Sequence, residues 1–421
     1  METTQKNICI GIDLCSDYSQ VSYYDFESDE PASVEISGNV FVPTVVSKSI
    51  GKDEWFAGED AEKSAKLGES VLVTGLLEKA IDKNPVTVDE TSVMPIKLLG
   101  CFFEYLLMSV RSAAGADNIL SVCVTLDDFN ISVLNILVKA MESVGIERDK
   151  LAVASHDESF VYYAISQRVE MWANDNFLFD YGDNGLVVKR MYIINERGTR
   201  IAMVHTDDLR QSVTASLMES ENSREFADTQ LTQVARDLFD KKSVSTVYLT
   251  GKLFADGVDL PQFVKFICDR RRVFAGNNLY CKGACYEAME LVGRKPLKDV
   301  LLACGERITT GIEMKYSQRG RDKILRMVKP GINWYGADCS YEFIVDEMDE
   351  IEIFLSPVDG TEKQVVRISL EDFPKRPPRT TRIAISFSFT SDSRCHLMVK
   401  DMGFGEFFAS SGRVINEELL L

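Results

Sequence analysis

The feature that most limits what this chain can fold into is a break in texture near residue 301. Before it, apolar runs of strand length alternate with helical stretches. After it, short alternating runs such as residues 352–355, 364–369 and 382–389 are separated by Pro, Gly and Asp turns, and a helix is hard to place anywhere after Gly336. One architecture does not supply both patterns. Alternating strands and helices imply sheets covered by helices, whereas evenly spaced short strands imply an all-β domain. The 421 residues are enough for two or three such domains.

Within the α/β part, residues 8–14 and 20–26 read as a hairpin across the turn at 15–18. Further strands are expected at 40–47 (an edge position, given Pro43), 55–57, 119–126, 151–155 and 246–251. Helices are expected at 59–67, 98–114, 130–144 (capped by Gly145), 158–169, 224–241, 261–272 and 283–292. A second strand–turn–strand opens at residue 176, so two similar units begin the two halves of this region.

The formal charge of −18, from 65 acidic and 47 basic side chains, argues against a surface built to follow nucleic-acid phosphates or an anionic membrane. Arg270, Arg271 and Arg272 make the one compact basic run. The first residues lack a signal-peptide pattern, and no apolar run approaches the roughly 18 residues needed to span a bilayer. We expect a cytoplasmic protein without nucleic-acid or membrane partners. The ten cysteines are scattered singly apart from Cys281 and Cys285, a Cys-x3-Cys pair without a companion His. That pair is a weak zinc signal, and the thiols read as small buried side chains in a reducing compartment.

Two turns carry the chemistry, IGIDLCSDYS (residues 10–19) and LFDYGDNGLV (residues 178–187). Each sets an aspartate, Asp13 or Asp180, at the end of an apolar strand before a polar turn. Backbone N–H groups in such turns can cradle phosphate oxygens while the aspartates hold hydrated Mg2+. Either turn alone reads better as an ordinary hairpin with a turn aspartate; it is the pair, spaced across two halves, that points to a site.

These motifs resemble the actin-like ATPase superfamily, and more closely the seventy-kilodalton heat-shock (DnaK-type) chaperones. Residues 10–16 are similar to that family's first phosphate loop and residues 179–185 to its second. VCVTLDDF at 122–129, SHDESFVYYA at 155–164, residues 248–251 with 261–266, and Gly283 with Ala284 stand where the family has its connecting, adenosine and closing motifs. DVLLACGERITTGIE at 299–313 matches the interdomain linker and first β-domain strand without a gap. The proline-rich turn and paired strands at 371–401 match the β domain. The resemblance implies a two-lobed actin-like (ribonuclease H-like) domain over 1–298, with lobe I to about 175, lobe II over about 176–275 and a closing helix at about 276–295. A linker at 299–304 and a β-sandwich at 305–421, like the chaperone substrate-binding domain, would follow.

The resemblance also implies ATP or ADP with Mg2+ as cofactor. Asp13 and Asp180 would hold the metal, with Cys15, Ser16, Gly182, Gly185 and Gly251 around the nucleotide and Asp157 and Asp180 as catalytic carboxylates. The departures weigh against turnover. Cys15 replaces a glycine, Asp183 and Asn184 replace two more, and Asp157 is one methylene shorter than the family's glutamate. Leu76 stands at the phosphate-lysine position, and Lys252 follows the single adenosine-motif glycine. About 60 residues separate Gly185 from Leu249, too few for the family's adenine-closing subdomain. The helical lid of the family is also expected to be missing after Leu421. We therefore expect a diverged chaperone-like protein with a nucleotide-dependent or degenerate regulatory ATPase domain, a poor or inactive hydrolase, and a protein or peptide client on the β domain. The alternative is a pseudo-ATPase scaffold used only for protein–protein contact. His156 reads as a turn residue or a proton relay. The acidic tract DEMDEIE at 346–352 reads as a solvated approach or a weak cation site.

Overall fold

The computed structural model describes residues 6–116, 118–127, 129–196, 198–218, 221–255, 259–276, 278–346 and 349–421. The chain divides into two units, Met1–Ile193 with Val204–Lys298, and Ile194–Met203 with Asp299–Leu421. The first is α/β with mixed sheets, and the second is built mainly from two antiparallel sheets.

In the first unit, the strand Asn7–Asp13 lies at the centre of a sheet. It pairs parallel with Asn118–Leu126 and antiparallel with Tyr18–Asp25, which follows across the turn 14–17. Leu151–Ser155 extends this sheet in parallel on one side, and Glu30–Ser33 closes the other. The expected strand 40–47 is broken into Val42–Pro43 and Val46–Ser49, and the piece holding Pro43 pairs only with Tyr18 and Ser19. A proline lacks the N–H that a longer ladder would need.

The second sheet repeats the same local order. Its central strand Asp175–Gly182 pairs antiparallel with Gly185–Glu196 and parallel with Val244–Thr250. Gly182 pairs with Gly185, so Asp183 and Asn184 form a two-residue hairpin turn. The sheet gains a strand that sequence reading missed. The helix expected over 261–272 ends at Ile267, and Arg272–Ala275 adds in parallel to Val244–Thr250. Arg270 takes a left-handed conformation (φ 57°) that turns the chain. The Arg271 guanidinium settles 4.8 Å from the Phe239 ring centroid and 5.3 Å from that of Phe266.

Helix Leu279–Ala288 packs on the first sheet and on helix His156–Ser166. Two glycines set that closeness. A Cβ on Gly11 would lie 2.0 Å from the Cys281 carbonyl oxygen, and one on Gly283 would lie 1.9 Å from the Ser159 carbonyl oxygen. Only bare backbone admits this approach. Cys281 and Cys285 are buried in the packing, and burial pushes the Cys281 thiol up to about 12. They act as small core residues rather than as a metal pair.

In the second unit, one sheet runs Arg321–Val328, Thr310–Gln318, Glu350–Pro357, Gln364–Ser369, and the other runs Cys339–Val345, Thr381–Ser391, Arg394–Gly403, Val414–Leu420. Burial alternates along Arg394–Gly403 and most of Thr381–Ser391, as a half-buried strand requires. Ile312, Ile353 and Leu355 of the first sheet share a core with Ile385, Phe387 and Leu397 of the second. Val300–Leu302 pairs in parallel with Arg200–Ala202, the strand at the hairpin tip that belongs to this unit. Among the described residues no helix is long and apolar enough to cross a membrane.

Candidate functional site

A cavity of about 390 Å³ opens in the first unit where the strands of both sheets end. Ligands of open α/β sheets collect at the carboxyl ends of strands. Asp13 ends the first central strand, Asp180 lies two residues before the end of the second, Asp127 follows the strand Asn118–Leu126, and His156 begins the helix after Leu151–Ser155. That helix starts where it does because of a capping box. The Ser155 side chain accepts from the Glu158 N–H, and Glu158 Oε2 accepts from the Ser155 N–H at 2.9 Å.

Eight residues carried the expected site, and seven of them line the cavity: Asp13, Cys15, Ser16, Asp180, Gly182, Gly185 and Gly251. Asp157 does not. Its Oδ1 accepts from the buried Lys189 ammonium at 2.7 Å and from Thr206 Oγ1 at 3.3 Å. Asp13 is buried, and its Oδ1 accepts from His156 Nε2 at 2.8 Å and from the Cys15 thiol at 3.5 Å. Ser16 donates to Glu78 Oε1 at 2.6 Å, from the short helix Leu76–Asp82 that the sequence did not reveal. Leu76 is core, and Lys79 Nζ donates to the Thr74 carbonyl oxygen, five residues back.

The glycines divide by role. Gly182 faces open space. Gly251 (φ 96°) is required by the chain's own packing, since a Cβ there would sit 2.5 Å from the Tyr181 carbonyl oxygen and 2.8 Å from Asp180 Oδ1. Gly185 (φ 105°) similarly admits the backbone of Arg210 and Val213.

Four groups missed by sequence reasoning complete the arrangement. The Tyr280 ring stacks on His156 with centroids 3.8 Å apart and planes 5° off parallel, while its hydroxyl donates to Asp180 Oδ2 at 3.0 Å. Arg210 donates to Asp127 Oδ2 at 2.6 Å, and Lys189 stands 4.0 Å from Asp127 Oδ1. The signal for Lys189 was a pair of cations, Lys189 and Arg190, inside the otherwise apolar run GLVVKRMYII. Tyr280 lay outside the expected helix 283–292, which begins at Leu279. Asp183, which stands where the resemblance expects a glycine, is met by Lys252 at 3.1 Å, which also sits 4.7 Å from the Tyr18 ring centroid.

The electrostatics follow burial and pairing. Burial raises the Asp180 carboxyl above the ordinary aspartate value, against the lowering effects of His156 and Tyr280. Burial also acts to raise Asp127, but His156, Lys189 and Arg210 outweigh it and hold that carboxyl low. Cys15 is exposed as a residue, but the cavity wall around its sulfur desolvates the thiol and, with Asp13 and then Asp180, pushes it well above its usual value.

The second unit holds its own cavity of about 760 Å³, lined by Met314, Tyr316, Phe343, Ile351, Ile383 and Ile385 among others. Of the acidic tract at 346–352, Asp346 pairs with Arg379 at 2.8 Å and Glu352 with Arg367 at 3.2 Å. Glu347 and Met348 lie outside the described residues.

Fold and site together define a two-unit protein with an α/β part carrying a cavity of paired charges and a β part carrying a more apolar one. The chain belongs to DUF5716, a family of unknown function whose C-terminal model matches residues 30–305. Residues 307–421 match DUF8552, a domain of unknown function. No curated protein matches the chain significantly.

Proposed function

We propose that this chain is a degenerate relative of the actin-like ATPases, similar in plan to DnaK-type chaperones. Its first unit no longer turns over nucleotide, and its second unit holds an extended peptide segment. Support for the class comes from the repeated plan of the two sheets, each with a central strand that carries an aspartate at or near its carboxyl end on the wall of one cavity. Support for loss of turnover comes from two contacts, His156 on Asp13 and Lys189 on Asp157. The carboxylate that would hold a metal-bound water and the one that would orient attacking water are both engaged by the chain's own side chains.

The residues do not fit Mg-nucleotide turnover. Freeing Asp13 sacrifices a hydrogen bond to a charged acceptor, worth about 1.5–3 kcal/mol. Freeing Asp157 breaks a buried ion pair, at about 3–5 kcal/mol. Phosphoryl transfer is positioning plus charge neutralisation, so a site that must first dismantle its own pairs loses both. The cavity of the second unit suits an extended apolar segment, because strand-based sites bind through alternate side-chain pockets. Ten free cysteines suit a reducing cytoplasm.

Phosphate release from Mg-ATP by the reduced full-length protein, run beside calorimetric titration, tests the reading. The expected result is no release above buffer. Turnover that disappears in Asp180→Asn would overturn it.

A further inference from the structure

We propose that Asp13, Cys15 and His156 form a binding site for a thiophilic divalent metal ion, Zn2+ foremost, at the mouth of the first unit's cavity. This rests on the reading of that cavity as one that does not turn over Mg-nucleotide. It commits the same cavity to a different ligand.

The donor set is a carboxylate oxygen, a sulfur and an imidazole nitrogen, and the three ligand atoms all lie within 4.8 Å of one another. Zinc takes such mixed sets at about 2.0–2.3 Å, which puts tetrahedral ligand–ligand edges at roughly 3.3–3.7 Å. Asp13 Oδ1 to Cys15 Sγ is already 3.5 Å, and Asp13 Oδ1 to His156 Nε2 is 2.8 Å. Binding would replace that hydrogen bond and move the imidazole outward by about half an ångström. Mg2+ fits poorly, since it demands octahedral oxygen and finds one oxygen donor among these three.

The surroundings hold the ligands as a metal site needs. His156 points Nε2 at Asp13 and turns Nδ1 toward Asp127 Oδ1 at 3.8 Å, so a carboxylate lies behind the ligating imidazole. Tyr280 stacked on the ring restricts its rotation. Asp13 ends a central strand and His156 opens a capped helix, both rigid supports. Cys15, in the turn between two strands, is the adjustable member. Asp180, on the same cavity wall, adds negative charge toward a cation. Three protein ligands with the fourth vertex open to a cavity is the plan of a metal that meets a small ligand or water.

The test uses the reduced full-length protein after chelator treatment, titrated with Co2+ and then with Zn2+ in competition with a zinc-responsive dye. The expected cobalt spectrum has the intense visible bands of a four-coordinate ion and a near-ultraviolet thiolate charge-transfer band. Cys15→Ser should abolish the charge-transfer band and weaken Zn2+ by at least about 100-fold, because even partners behind the ligands are worth 10–100-fold. Cys268→Ser, at an exposed cysteine elsewhere, should change neither. His156→Gln should weaken Zn2+ similarly. If that variant fails to fold, the exposed Cys15 position still decides the matter. Equal spectra and Zn2+ affinity for wild type and Cys15→Ser would overturn the metal site. Turnover of Mg-ATP would strike at the reading beneath it, so the two failures are distinguishable.

Discussion

Replacing Lys189 by methionine probes whether the ion pair with Asp157 is what removes that carboxylate from chemistry. The Lys189 side chain is 4% exposed and that of Asp157 is 23% exposed, with 2.7 Å between Nζ and Oδ1. Removing one partner of a buried pair leaves an uncompensated charge and costs about 3–5 kcal/mol. Asp157 is partly wetted and keeps the Thr206 hydroxyl at 3.3 Å, so the lower end applies, about 3 kcal/mol. Because the chain has two units, a global unfolding curve would mix two transitions. Peptide-resolved hydrogen exchange avoids this by reading the strands Asp175–Gly182 and Gly185–Glu196 directly. A loss of 3 kcal/mol corresponds to roughly 150-fold faster exchange there. The double variant Lys189→Met with Asp157→Asn should recover part of the loss, since no lone charge remains. Acceleration below about fivefold in Lys189→Met would mean that the pair contributes little, and Asp157 would then be free to position water.

Three further outcomes follow from the same contacts. The Asp180 carboxyl is raised by burial, so it keeps its proton to higher pH in the folded chain than in the unfolded one, and ionising it opposes folding. Its contribution is therefore lost as pH rises from about 4 through the folded value, and Asp180→Asn should raise the melting temperature of the first unit at pH 7; a lowered one would refute this. Asp401 has the opposite sign. The Arg376 fork at 2.7 and 2.8 Å, then the Ser411 and Gly403 amides, hold its carboxyl far below the usual range, so that stabilisation is complete above about pH 4 and drains away below it. Asp401→Asn should flatten the acid limb of the second unit's melting curve. Gly283→Ala places a Cβ 1.9 Å from the Ser159 carbonyl oxygen, and overpacking of this kind should cost about 1–3 kcal/mol or more and loosen Tyr280 from His156, read as faster exchange in Leu279–Ala288.

The elements that the sequence revealed are those whose signals are local. Expected 8–14 is Asn7–Asp13, expected 55–57 is Trp55–Ala57, and expected 98–114 is Pro95–Ala114, each marked by an apolar run or stripe with a clear stop. After the 3-10 turn Trp334–Gly336 the described residues contain strands but no helix, as the alternation implied. What escaped reading is non-local. Arg272–Ala275 is a strand because a neighbouring edge was free, after a left-handed Arg270 that carried no Gly or Pro signal. Thr199–Asp208 is largely polar and lies between a hairpin neighbour, Gly185–Glu196, and a partner distant in sequence, Val300–Leu302. In the site, Asp13 and Asp180 were legible because each lies at or near the carboxyl end of a strand marked by its own apolar run. Their partners were not. Lys189, Arg210 and Tyr280 reach Asp157, Asp127 and Asp180 across 32, 83 and 100 residues, and no pattern in one chain encodes those pairings.

The charges around the cavity bear on what it is for. A fold maintained only as a scaffold has no need of Asp13, Asp127 and Asp180 converging with His156 and Arg210. Replacing a buried ionic cluster by apolar side chains of similar volume is often neutral or stabilising by about 1–4 kcal/mol. Asp180 illustrates the point, since its burial already disfavours its charged form. Groups that oppose folding while facing open space are placed for something that enters that space. Glycine at 182 leaves backbone bare to the cavity, whereas Gly185 and Gly251 serve the chain's own packing. The opening is thus suited to something small at the acidic wall, not to a cradled triphosphate. A single soft cation at Asp13, Cys15 and His156 would neutralise the wall, replace one hydrogen bond and leave the Lys189–Asp157 pair intact. That is a smaller rearrangement than any phosphate chain would demand, and it is why the cavity reads better as a metal-ion site than as an emptied nucleotide site.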